Sequence, residues 1–209
     1  MISADDALRR LKEGNRRYLS GAKSKSALDN QKDRNELAKE QTPFAVILGC
    51  SDSRVPPELI FDQSLGGLFV IRVAGNISGP VQVASVEFAV QELGTKLVMV
   101  LGHNRCGAVQ ATIDAVANPE APMSSNLRTV ADYVETAILP VLERGGDPST
   151  DGVNLECVKA NVRNSARSLL RRSRLLQRKS LETGFQIVEA VYSLETGVVT
   201  ILDPEAADS

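Results

Sequence analysis

Cys50, His103 and Cys106 are the residues of this chain best suited to hold a metal ion. Zinc takes thiolate and imidazole ligands in tetrahedral geometry, and three protein ligands leave a fourth position open for water or substrate. Cys50 stands in Gly49-Cys50-Ser51-Asp52-Ser53-Arg54, so a carboxylate and a guanidinium follow the first thiol closely. His103 and Cys106 lie in Gly102-His103-Asn104-Arg105-Cys106-Gly107. A His-x-x-Cys pair alone reads equally well as core packing; the further cysteine beside an Asp-x-Arg turns the reading towards chemistry.

Each cluster directly follows a short apolar run, 44–48 or 97–101, and each then breaks at glycine and polar residues. Such a run before a helical pattern predicts a strand of a parallel sheet feeding a loop. Ligands of open α/β sheets collect beyond the carboxyl ends of the strands, so the two clusters can meet at one sheet edge. Leu68 to Val73 is another apolar strand, ending in Ala74-Gly75-Asn76. Pro80 can start a helix carrying Val83, Val86, Phe88, Ala89, Val90 and Leu93, with Gly94 placed to cap it. Further helices are expected over 108–117, over 126–143 with an end or bend at Pro140, and over 154–182 as one long segment. The runs 185–194 and 198–202 flank Glu195-Thr196-Gly197 as a β-hairpin.

Ahead of the first strand, residues 3–20 form an amphipathic pattern with Ser3 as N-cap and Ala7, Leu8, Leu11 and Tyr18 as its stripe. A short helix is expected over 31–40. This arm has no sheet of its own to cover, which points it towards a partner subunit. One α/β domain over 1–209 results, with an N-terminal helical arm (1–40) and a core (41–209).

Composition narrows the function classes. The 209 residues carry a net charge of −2 with acids and bases interspersed, which leaves no footprint for nucleic acid. The basic run 163–179 is interleaved with Val162, Ala166, Leu169, Leu170, Leu175 and Leu176 at helical spacing, as on a solvated helix face. No apolar stretch approaches the ~20 residues of a membrane span, and the N-terminus lacks the pattern of a secretory signal. The cysteine count, 3, is odd and favours a reducing compartment, so a cytoplasmic location is expected. Cys157 fits no ligand position and reads as a helix residue.

Cys50-Ser51-Asp52-Ser53-Arg54 together with His103-x-x-Cys106-Gly107 resembles the two signature motifs of the β-class carbonic anhydrases. Gln41-Thr42-Pro43, Phe69-Val70-Ile71-Arg72 and Ser85-Val86-Glu87-Phe88-Ala89-Val90 resemble that family in order and spacing, so the likeness spans roughly residues 4–202. It implies a mainly parallel sheet with an added antiparallel strand, flanked by helices, in a dimer or tetramer. It also implies one zinc ion per subunit on Cys50, His103 and Cys106, and interconversion of carbon dioxide and bicarbonate by zinc-bound hydroxide. Asp52 would orient that hydroxide and Arg54 would hold Asp52 ionised. Gln41 and Gly107 match substrate hydrogen-bond donors, and Phe69 and Ala74 match apolar pocket positions supplied across a dimer interface. Phe88 stands where many relatives have tyrosine, which removes a hydroxyl from the pocket wall. Ile47 stands where a bicarbonate-regulated subgroup has tryptophan, so an open site is expected despite the presence of Arg72 and Tyr192. His103 is the sole histidine, which leaves no spare imidazole as proton shuttle.

Two other readings keep the same metal site: a relative hydrolysing carbon disulfide or carbonyl sulfide, and a silent zinc-binding scaffold. Intact Gln41, Asp52 and Arg54 speak against the scaffold. A thiol enzyme is set aside, because the chain has no Cys-x-x-Cys and neither Cys50 nor Cys106 opens a Cys-x5-Arg loop.

Overall fold

A computed structural model describes residues 2–22, 37–145, 147, 150–182 and 184–203. Helix α1 (Ala4–Ser20) starts where Ser3 Oγ accepts the N–H of Asp6, and it ends at Gly21 in the left-handed conformation. Most of the helix expected over 31–40 lies outside the described residues. Strand β1 (Ala45–Gly49) is followed by a short helix α2 (Pro57–Ile60), then by strand β2 (Leu68–Arg72) and a 3-10 turn over Ala74–Asn76. Helix α3 (Pro80–Gln91) leads to strand β3 (Leu97–His103). Helices α4 (Gly107–Ala117), α5 (Ser125–Glu143), α6 (Asp151–Arg172) and α7 (Arg174–Leu181) separate β3 from β4 (Gln186–Tyr192), and β5 (Val199–Ile201) closes the chain.

The strands form one sheet in the order β2-β1-β3-β4-β5, parallel except for the β4–β5 hairpin. β1 and β3 are buried along their whole length, as expected for central strands of a parallel sheet covered on both faces. The chain leaves β1 on one side to build β2 and returns across it to build β3. The carboxyl ends of β1 and β3 therefore flank a topological switch point, the place where ligands of open α/β sheets collect.

The helix expected over 126–143 is α5, which does not end at Pro140 but runs on to Glu143. The ring deprives only the Thr136 carbonyl of its donor, near the helix end and on an exposed turn where water can replace it. The segment 154–182 is two helices, because Ser173 leaves the helical conformation; its Oγ accepts the N–H of Leu176 and donates to Glu87 Oε1 at 2.5 Å. Finally, α1 does have a face of its own chain to cover. Leu11 is fully buried, and the Asn15 side chain donates to the carbonyls of Ile60 and Gly197 while accepting from Val199 N–H. Arg17 pairs with Asp62 at 2.6 Å, which fixes the end of the same helix.

Candidate metal centre

Register brings the ligands together. Gly49 lies opposite Leu101, so the residue after β1, Cys50, comes level with Gly102, the neighbour of His103 at the end of β3. A turn through Asn104 and Arg105, the latter left-handed with φ 51°, then places Cys106 at the N-cap of α4. Cys50 Sγ and Cys106 Sγ are 4.0 Å apart, and the donor atoms of all three residues lie within 4.8 Å of one another. Zn–S bonds of about 2.3 Å at a tetrahedral angle put two sulfurs about 3.8 Å apart, so this spacing suits a zinc ion.

The histidine supports the same fit. Its Nδ1 lies 2.9 Å from Asn104 O, which can only accept, so Nδ1 carries the proton and Nε2 presents a lone pair. Nε2 is buried and has no hydrogen-bond partner. A bare buried acceptor converging with two thiols matches a cation ligand set better than a packed core, where polar atoms are paired.

The surroundings of Cys50 favour its ionisation. The Gly75 N–H donates to Cys50 Sγ at 3.4 Å, from a turn whose φ of 69° suits glycine. The adjacent Cys106 thiol, then the backbone N–H groups of Asp52 and Gly75, ease ionisation of Cys50 against the opposing effect of burial. The resulting charge, together with burial, pushes the Cys106 thiol up. Two thiolates this close need a cation between them. Cys157 is also buried, and burial pushes its thiol up to about 11, so it stays a protonated core residue.

Asp52 and Arg54 form a fork beside the cluster. Arg54 Nε donates to Oδ1 at 2.9 Å and an η nitrogen donates to Oδ2 at 2.7 Å, while the Arg54 backbone N–H also reaches Oδ1. The guanidinium holds the carboxyl well below the usual carboxylate range against the opposing effect of burial. Asp52 Oδ2 is 3.9 Å from His103 Nε2, so the carboxylate faces the space the ligands enclose. Arg72 secures this loop from β2 by donating to the carbonyls of Cys50 and Asp52.

The remaining candidate residues divide into two groups. Gly107 opens α4, and a side-chain carbon built on it would meet nothing within 4 Å. Ala74 adjoins Gly75, whose N–H reaches Cys50 Sγ. Phe69 pairs with Val46, three residues below the level of Gly49 and Arg72, and its ring packs 6.1 Å from that of Phe88, which is 48% exposed. Gln41 is exposed and precedes β1, at the opposite end of that strand from Cys50. Gln41, Phe69 and Phe88 therefore do not join the cluster within one chain. Sequence reasoning missed the supports: Arg72, the Gly75 N–H, the Asn104 carbonyl, and Asn161, whose amide donates to Gly75 O at 2.7 Å. Only Gly75, inside Ala74-Gly75-Asn76, carried a local signal of its turn.

A family model described as carbonic anhydrase matches residues 45–199. The chain is 35% identical over 197 residues to carbonic anhydrase 2 of Mycobacterium tuberculosis, covering 94% of this chain and 92% of that one. It is 41% identical over 133 residues to a carbonic anhydrase of Mycolicibacterium smegmatis, 64% of each chain. A Coccomyxa β-carbonic anhydrase in complex with acetazolamide superposes with a TM-score of 0.72 at 26% identity, covering 91% of this chain and 83% of that one. A tetrameric β-carbonic anhydrase of Sordaria macrospora superposes with a TM-score of 0.74 at 24% identity, covering 84% of this chain and 88% of that one.

Proposed function

This chain belongs to the β-class carbonic anhydrases, and from that premise we propose that Cys50, His103 and Cys106 hold one zinc ion per subunit while Asp52 and Arg54 orient water against carbon dioxide. The observation that carries this reading is the bare, buried Nε2 of His103 converging with two thiols. Bound there, zinc acidifies water towards neutrality and so supplies a nucleophile at physiological pH. Two thiolates neutralise the cation's charge where imidazoles would not, which moves that acidification to higher pH than in an all-histidine cage.

The protein's own groups do the rest. Asp52, kept ionised by Arg54, is an acceptor only; it takes the O–H of the attacking water and leaves an oxygen lone pair free for the carbon of carbon dioxide. The N–H of Gly107, one of the unpaired donors that open α4, is assigned to the developing bicarbonate oxygen. Ala74 gives an apolar wall. Gln41, Phe69 and Phe88 serve a second subunit's site, supported by their exposure or distance from their own cluster, and the active form is a homodimer or larger. The sole histidine is a ligand here, so the product proton leaves through buffer or a water path. With Ile47 in place of tryptophan and Asp52 turned to Arg54, the site is constitutively open; a crystal near neutral pH with Asp52 turned onto the metal would contradict this. Its three cysteines are free, in keeping with a cytoplasmic location, and among the described residues no helix is long and apolar enough to cross a membrane.

Metal analysis after dialysis against a chelator tests the assignment. The parent retains one zinc per chain, whereas Cys106→Ser and His103→Asn each retain less than about a tenth of that. Full zinc in either variant would remove that residue from the ligand set.

A further inference from the structure

Between the two ligands of β3 and α4 lie only Asn104 and Arg105, and the site leans on the backbone carbonyl of each. Asn104 O accepts from His103 Nδ1 at 2.9 Å and so fixes the ring's tautomer and direction. Arg105 O accepts from Arg54 at 3.4 Å, on the same η nitrogen that holds Asp52 Oδ2. The aim of both the imidazole and the Asp52–Arg54 fork therefore depends on how this turn is set. Arg105 has a φ of 51°, a conformation that costs a non-glycine residue energy and must be held by its surroundings.

The side chains of the same two residues converge on one carboxylate. Asn104 Nδ2 donates to Glu195 Oε2 at 2.5 Å, and Arg105 Nε lies 3.2 Å from Glu195 Oε1. Glu195 sits in the turn joining β4 to β5, where Ser193 Oγ also donates to Oε2. The hairpin adds two backbone ties, Leu194 N–H to Asn104 Oδ1 at 2.8 Å and Asn104 N–H to Tyr192 O at 3.2 Å. Asp151 gives Arg105 another carboxylate at 2.9 Å.

We propose that Glu195 is a positioning residue of this enzyme: from the β4–β5 turn it holds Asn104 and Arg105 together, and through their carbonyls it sets the direction of His103 and Arg54. An exposed ion pair contributes little to stability. The role of Glu195 is orientation instead, of the kind by which groups behind metal ligands change affinity about 10–100-fold.

The inference rests on the cluster being the zinc site, and the test separates the two claims. Parent, Glu195→Ala, Glu195→Gln and Asp151→Asn are compared for zinc release to a chelator, for the visible absorption of their cobalt(II)-substituted forms, and for kcat and KM. Glu195→Ala is expected to release zinc about tenfold faster, with altered cobalt bands and a lower kcat at little-changed KM. Glu195→Gln still accepts from Asn104 and recovers most of the zinc retention, and Asp151→Asn matches the parent spectrum. Parental zinc release and cobalt bands in Glu195→Ala would overturn the proposal, as would equal effects of Asp151→Asn. A parent that takes up neither metal would overturn the zinc-site reading itself.

Discussion

In the proposed reaction Asp52 is useful only while it is ionised and aimed, and Arg54 would secure both through two side-chain hydrogen bonds. The sign of its pH dependence follows. A free carboxyl takes up its proton near about 3.9, and the folded state holds Asp52 below that. Its contribution to stability is complete above the unfolded value and is lost as pH falls through the folded one. Above about pH 6 the carboxylate stays charged, so the proposed mechanism assigns a rise of hydration with pH to the water and not to Asp52. Asp52→Asn is therefore expected to lower kcat/KM about a hundredfold or more across the whole alkaline range, with zinc content intact. A variant that instead shifted the midpoint of the pH profile and kept full activity on the plateau would show that Asp52 tunes the water and does not orient it.

At the level of elements, the site depends on how closely α6 approaches β3. A side-chain carbon at Gly102, directly before His103, would lie 2.5 Å from Val162 Cγ2 and 3.2 Å from Val158 Cγ1, both on buried residues. Gly102→Ala must push β3 off α6, at a cost of about 1–3 kcal/mol. Denaturant unfolding with an unchanged midpoint would contradict this packing. The strands and both ligand clusters were legible beforehand, since apolar runs ended at Gly49 and Gly102 give strand, loop and side-chain placement together. The break at Ser173 was not legible: Ser173 sits amid helix-forming residues with no glycine or proline, and its partner Glu87 is 86 positions away. The seat of α1 stayed hidden because its partners Ile60, Gly197 and Val199 come later in the chain and meet it only through the finished sheet.

For the whole molecule, Gln41 at the far end of β1 and the Phe69–Phe88 pair away from the cluster support the proposal that a second subunit completes the site. Complementation measures this. Cys50→Ser lacks a metal ligand and Gln41→Ala lacks the donor, so each alone is expected to be weak. Unfolded and refolded together in equal amounts, they should regain parental activity at roughly one site in four, because half the dimers are mixed and each mixed dimer has one intact site. Activity no higher than the mean of the separate variants would place Gln41 outside the partner's site. The central claim is that the Cys50–His103–Cys106 cage with its Asp–Arg fork hydrates carbon dioxide, and stopped-flow hydration during zinc titration of metal-free protein tests it most directly. The account predicts activity that rises in proportion to zinc, saturates at one ion per chain and increases with pH. Full zinc occupancy with no hydration at any pH would contradict it.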